Sequence, residues 1–243
     1  MSDPVRIFVG SDAWQRQFNG ELLYQTALER VASPPVEVTM MTADPDSDGP
    51  WRIAREYRPG VWEVGTEPGQ VYAKGARAAT PFTLFRWAIP ETCGFEGYAI
   101  YTDADQWWVK DPRILFEEGK RAGKAVYLSQ GKACVMVLDC AAFAKIKWWP
   151  TIEQLRSGES GTMYDIRERL KKEGHINPHM SRSWNYPDDY IPGETGLVHT
   201  TNARTQPWHP YRHVFGRPPH KSARVRNLYR ELCDAAGIPE NER

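Results

Sequence analysis

Two aspartates separated by one small residue, Asp103-Ala104-Asp105, follow a short apolar, β-rich run, Tyr98-Ala99-Ile100-Tyr101. Carboxylates at this spacing are hard oxygen donors. At the carboxyl end of a buried strand, where ligands bind in open α/β sheets, they suit Mg²⁺ or Mn²⁺, which in turn holds the phosphates of a nucleotide. The bare pattern is weak, because 13 aspartates in 243 residues produce D-x-D by chance roughly 0.7 times. Asp44-Pro45-Asp46-Ser47-Asp48 holds two further copies, beside no apolar strand. Read as an EF-hand, that loop carries Arg55 where the twelfth-position glutamate belongs, so it reads as a solvated acidic loop. On the residues alone, Asp103 and Asp105 fit either a cation site or caps of the following turn. His199, after Gly196-Leu197-Val198, fits either a ligand or a packed, hydrogen-bonded core residue.

Other chemistries fail on spacing. Gly119 to Ala125 is one spacer short of a phosphate-binding loop and lacks the closing Ser or Thr. His175 with His179 and His209 with His213 have zinc-like spacing, but Pro178 and Pro210 oppose the helix that would align them. There is no G-x-S-x-G nucleophile elbow. Trp107-Trp108 and Trp148-Trp149 offer stacking faces to a sugar, although adjacent residues point apart on a strand, which assigns at least one of each pair to the core.

The elements that position these residues follow from hydrophobic periodicity. Val5 to Val9 reads as a strand, Gly10-Ser11-Asp12 as a turn, and Trp14, Phe18 and Leu22 as one face of a helix capped by Ser11 or Asp12. Val36 to Met40 alternates as a second strand, which makes a β-α-β opening and a parallel pair. Residues 43–75 read as a long loop. Thr80-Pro81 caps a helix with Phe82, Phe85 and Ile89 on one face, ended or kinked at Pro90. Ala125 to Leu128 and Cys134 to Leu138 read as central strands, Asp165 to Lys172 as a charged helix, and Val225, Leu228 and Leu232 as the apolar face of a last helix stopped at Gly237.

Composition bounds the partners. With 31 basic and 31 acidic side chains the net charge is zero, so there is no electrostatic footprint for nucleic acid. The longest apolar run, Ala133 to Leu138, is six residues, far below the roughly 20 that span a bilayer. The opening MSDPVR lacks the apolar region of a signal peptide, and the expectation is a cytoplasmic protein. Cys93, Cys134, Cys140 and Cys233 form no C-x-x-C pair and are expected to be reduced, buried small hydrophobes.

Four blocks carry a family resemblance: VRIFVGSD, PFTLFRWAIPETCGFEGYAIYTDADQWWVKDPRILFE, GKACVMVLDC and GLVHTTNARTQPW. Together, over most of residues 5–210, they resemble the glycogenin-like retaining glycosyltransferases, family eight, in particular their short bacterial members. The resemblance implies a GT-A-like, Rossmann-related α/β fold: a mixed central sheet flanked by helices in one domain over 1–243, nucleotide-binding over about 1–110 and acceptor-binding over about 111–243. It implies metal ligation by Asp103, Asp105 and His199, with Mn²⁺ preferred to Mg²⁺ because an imidazole joins the carboxylates. It implies donor contacts from Gly10, Ser11, Asp12, Arg86, Asp103, Ala104, Asp105, Asn202, Gln206 and Trp208. For Ser11 and Asp12 the helix-cap reading stays open, and for Arg86 that of an exposed helical charge. The implied activity is transfer of a sugar from a nucleotide-diphosphate donor, a UDP-sugar, to an acceptor hydroxyl with retention. A binding module without turnover and a nucleotidyltransferase are the alternatives, and a homodimer is left open.

The sequence departs from the family in two places. The late block runs from His199 to Trp208 one residue longer than His-x-x-Gly-x-x-Lys-Pro-Trp, with Gln206 in place of the Lys, so Arg204 is the candidate for neutralising phosphate. The Asp-Gln pair that lies across the donor sugar has no match between residues 150 and 185, and Asn185 falls in a Trp-Asn segment of unassigned role.

Overall fold

Strand β1 (Val5–Asp12), helices α1 (Ala13–Gln17) and α2 (Gly20–Glu29) and strand β2 (Val36–Ala43) form the expected β-α-β opening. β1 and β2 pair in parallel, from Val5 with Val36 to Asp12 with Ala43. Both strands run past their expected ends, so Gly10-Ser11-Asp12 is strand rather than turn. The single expected helix is split at Asn19, whose left-handed backbone (φ 64°) a short polar side chain tolerates better than a branched one. The split rotates the apolar face: Leu22 is exposed, while Leu23, Tyr24, Ala27 and Leu28 turn inward. A computed structural model describes residues 3–44, 82–129, 132–157, 159–201, 206 and 220–240. The acidic repeat beyond Asp44, most of the long loop and the Thr80-Pro81 cap lie outside the described residues.

Phe82, Phe85 and Ile89 are buried as expected, but on a turn, a 3-10 turn (Phe85–Trp87) and a short helix α3 (Ile89–Thr92) respectively rather than one continuous helix. Pro90 sits in the first turn of α3, where its missing N–H is harmless. Next come β3 (Tyr98–Asp103), β4 (Gln106–Trp108), α4 (Pro112–Arg121), β5 (Val126–Ser129), β6 (Lys132–Asp139) and α5 (Cys140–Phe143). Then follow α6 (Ile152–Ser157), α7 (Met163–Lys172), β7 (Ile176–Asn177), a 3-10 turn (Arg182–Asn185), β8 (Tyr186–Pro187), β9 (Leu197–His199) and α8 (Ala223–Ala235).

Among the described residues the main sheet has the order β2-β1-β3-β6-β5-β7, and a small sheet the order β4-β9-β8. β1 pairs in parallel with both neighbours, whereas β6 runs antiparallel to β3 and β5. The mixed sheet is covered on both faces, so its central strands are apolar in succession instead of alternating. Phe8, Ala99, Tyr101, Met136 and Leu138 face a cluster with Phe82, Phe85, Trp87 and Phe143. Val9, Ile100, Val135 and Val137 face Tyr24, Leu28, Leu115 and Phe116. Each such side chain contributes about 1.5–3 kcal/mol of transfer free energy. A third cluster joins Trp107 and Val198 of the small sheet to α2 and α8.

Candidate functional site

β3 ends at Asp103, in the middle of the main sheet. Gly10 of β1 is its register partner on one side. On the other, the last β3–β6 pair is Thr102 with Val135, so continuing the antiparallel register one step sets Cys134 opposite Asp103. Asp103 is buried. Tyr101, two residues earlier on the same face, donates its hydroxyl to Asp103 Oδ1, and Arg86 Nη2 lies 3.4 Å from the same oxygen. Arg86 also donates Nε to Thr83 O at 2.8 Å and Nη1 to Ala133 O. It is 4% exposed, which removes the exposed-charge alternative. Gly10 makes room for this arrangement, since a Cβ there would stand 2.3 Å from Tyr101 Oη and 2.6 Å from Phe82 Cδ2.

Asp105 is not aimed by strand alternation, because β3 stops at Asp103 and Ala104-Asp105 form a turn. The turn is held from three sides. Ala104 N donates to Gly10 O at 2.9 Å, and Asp103 N donates to Gln106 Oε1 at 2.9 Å. Asp105 O accepts from Thr200 N at 3.1 Å and Thr200 Oγ1 at 2.8 Å. Gln206 Nε2 donates to Asp105 Oδ2 at 3.0 Å and Thr200 O at 2.7 Å. The other carboxylate oxygen, Oδ1, is buried and has no hydrogen-bond partner among the described residues. It lies 3.5 Å from His199 Nε2.

His199 closes β9, paired with Gln106 of β4. Its Nδ1 is 2.7 Å from Asn185 Oδ1, and both residues are buried. A carbonyl oxygen accepts, so the proton sits on Nδ1, and in the neutral ring the Nε2 lone pair is turned to Asp105. Asp188 anchors the following segment. Its N donates to His199 O at 2.8 Å, and its carboxylate accepts from Thr201 N at 2.9 Å and from the Thr201 hydroxyl. Burial pushes the Asp103 carboxyl above its ordinary range, with Arg86 pulling it down and Asp105 pushing it up. Burial acts downward on His199, but Asp105 and Asp103 hold the imidazole above its ordinary value. The donor atoms of Asp103, Cys134 and His199 lie within 4.8 Å of one another. Burial, then Asp103, push the Cys134 thiol up to about 12.

The structure therefore brings together Gly10, Arg86, Asp103, Ala104, Asp105, His199 and Gln206. Asp12 caps α1, its Oδ1 accepting from Gln15 N at 2.9 Å. Ser11 is fully buried, and its Oγ has no hydrogen-bond partner among the described residues. Asn202, Arg204 and Trp208 lie outside the described residues. Tyr101 and Cys134 escape the sequence reading as neighbours of the site, and Asn185, which it singles out without a role, is the partner of His199. Cys134 also departs from the expected buried cysteines: all four are free, but Cys93 and Cys134 are only half-buried. Trp107 and Trp108 are both core, the first stacked on Tyr229 with ring centres 6.2 Å apart and the second donating Nε1 to Tyr24 at 2.8 Å. Neither offers a face to a sugar.

This topology, a mixed central sheet flanked by helices, matches the GT-A fold of solved structures. The chain is similar to the galactosyltransferase LgtC solved with donor and acceptor sugar analogues, at 14% identity and a TM-score of 0.55, covering 98% of both chains. An active-site mutant of LgtC gives 12% identity and a TM-score of 0.58 over the same share. The glycosyltransferase GlyE of Streptococcus pneumoniae gives 14% and 0.54, with 97% of this chain covering 64% of that one. The chain covers 46% of the bifunctional glycosyltransferase WbbM. No protein-family model and no curated protein matches the sequence. No helix among the described residues is long and apolar enough to cross a membrane.

Proposed function

We propose that the chain is a cation-dependent glycosyltransferase that moves a sugar from a nucleotide-diphosphate donor, a UDP-sugar, to an acceptor hydroxyl with retention. The observation that carries this reading is the position of His199 between the two aspartates, a ring nitrogen within 4.8 Å of an Asp103 oxygen and Nε2 3.5 Å from Asp105 Oδ1. The donor set fits a divalent ion: Asp105 Oδ1 is buried without a hydrogen bond among the described residues, 3.5 Å from His199 Nε2, too long for a good hydrogen bond but ordinary between two ligands of one ion. Two carboxylates and an imidazole favour Mn²⁺ over Mg²⁺. When bound, the ion supplies the charge that offsets a departing diphosphate, each unit-charge pair at 4 Å being worth roughly 4 kcal/mol before desolvation.

The chain's own residues preorganise that site. Thr200 and Gln206 fix the main chain and one oxygen of Asp105, Asn185 fixes the His199 ring, and Tyr101 with Arg86 fixes Asp103. Retention rests on the family resemblance, and no nucleophile is assigned.

Calorimetric titration with UDP and GDP, with and without Mn²⁺, on wild type and Asp105→Asn tests the site. Binding is expected to require the ion and to be lost in the variant; metal-independent binding unchanged by the substitution refutes the assignment. One observation favours a second reading, donor binding without turnover. Arg86 is engaged by Thr83, Ala133 and Asp103, so it braces Asp103 instead of reaching a diphosphate. Donor hydrolysis or transfer across a panel of nucleotide sugars separates the two.

A further inference from the structure

The sheet places a thiol beside the acidic pair. The β3–β6 register sets Cys134 opposite Asp103, and directly opposed residues share a face with Cβ atoms about 4.5–5.5 Å apart. Met136 and Leu138, two and four residues further along β6, pack into the apolar cluster on that face, but Cys134 is not among its side chains. It is half-buried near the start of β6, beside Asp103 and His199. Its Sγ, a carboxylate oxygen of Asp103 and a ring nitrogen of His199 lie within 4.8 Å of one another. A tetrahedral ion with sulfur at about 2.3 Å and nitrogen or oxygen at about 2.0–2.1 Å holds its ligands roughly 3.6 Å apart. The three groups thus need at most about 1 Å of side-chain closure to share one ion, and Asp105, outside that mutually close group, adjoins it through His199, whose Nε2 lies 3.5 Å from Asp105 Oδ1.

We propose that Cys134 is a further ligand of the cation at the Asp103, Asp105 and His199 site, giving that site a preference for thiophilic divalent ions, cadmium, cobalt or zinc, over magnesium. The inference rests on the cation-site reading above and extends it to a fourth donor of different softness. Thiolate ligands select soft and borderline ions, whereas carboxylates alone suit hard ones. On binding, the S–H bond breaks, its proton passes to solvent, and the sulfur lone pair forms the bond to the ion.

The test uses purified full-length protein titrated with Co²⁺ and Cd²⁺ salts and no other ligand, read by absorption and calorimetry. Wild type is expected to develop a sulfur-to-metal charge-transfer band that saturates with one equivalent. Cys134→Ser is expected to lose the band and to bind Cd²⁺ at least about tenfold more weakly, the lower end of what even an outer partner of a metal ligand costs. Its Mg²⁺ affinity is expected to fall less than its Cd²⁺ affinity, because a serine oxygen suits the harder ion. Cys134→Ala is the second variant, and circular dichroism checks that both fold. Cobalt binding without a charge-transfer band in wild type overturns the role of Cys134 and leaves the carboxylate and histidine site standing. A band that persists in both variants assigns the sulfur elsewhere and overturns it too. No binding of any divalent ion, alone or with UDP, overturns the cation site itself and this inference with it.

Discussion

Removing the Asn185 side chain tests whether the imidazole is set by its neighbour. The His199 Nδ1 to Asn185 Oδ1 hydrogen bond is 2.7 Å long between two buried side chains. In Asn185→Ala the Nδ1 donor loses its acceptor inside the protein, which costs about 1–3 kcal/mol if the proton stays there. The ring relieves that cost by moving the proton to Nε2, where Asp105 Oδ1 at 3.5 Å accepts it, and the lone pair then points away from the acidic pair. Loss of a partner that orients a metal-ligating histidine weakens ion affinity about 10- to 100-fold, or about 1.4 to 2.7 kcal/mol. Asn185→Asp keeps an oxygen acceptor, so its affinity is expected to stay near that of wild type. The assay is calorimetric Mn²⁺ titration at pH 8, with ¹⁵N spectra of the imidazole reporting the tautomer. An alanine variant with Mn²⁺ affinity within twofold of wild type, or with Nδ1 still protonated, refutes the reasoning.

Two further expectations follow from the packing and the charges. Gly10→Ala introduces a Cβ 2.3 Å from Tyr101 Oη and 2.6 Å from Phe82, and overpacking of this kind costs about 1–3 kcal/mol. Chemical denaturation should show that loss, together with weaker ion binding as Tyr101 is pushed off Asp103; an unchanged midpoint contradicts it. Asp103 and His199 both titrate above their ordinary values, so the folded state binds protons more tightly than the unfolded chain. Stability without a cation therefore falls as pH rises from about 4 through the folded Asp103 value, and from about 6.5 through the folded His199 value. Mn²⁺ competes with the same protons, so its stabilising effect grows over that range. Thermal melts from pH 4 to 8.5 on wild type and His199→Gln, with and without Mn²⁺, isolate the histidine share. A wild-type curve that rises relative to the variant through the histidine range reverses the sign argued here.

Strand positions were legible because the apolar runs Tyr98 to Tyr101 and Cys134 to Leu138 cannot be solvated on either face. The acidic pair and His199 were legible because both follow such runs. What stayed hidden depends on contacts that sequence periodicity does not encode. Cys134 looked like one more small core residue until the antiparallel register put it opposite Asp103. Asn185 sits in an irregular stretch, and its role comes from a hydrogen bond across 14 positions. Leu22 misled because one left-handed residue, Asn19, shifts the helical phase. Trp107 and Trp108 are both core because both faces of β4 are covered: one side chain meets α8 and the other α2.

Thr200 donates twice to the carbonyl of Asp105, 95 positions earlier in the chain. The acidic turn and the histidine strand are thus sewn together through main chain, and neither half of the donor set has its final shape until that span has closed. Closing a long flexible span costs entropy that grows slowly with its length, and a cross-link that holds the ends together removes that freedom from the unfolded chain. An ion gripping both ends acts as such a cross-link. On the proposed cation reading, metal-dependent protection is therefore expected to extend to the stretch between β4 and β9 rather than to the ligands alone.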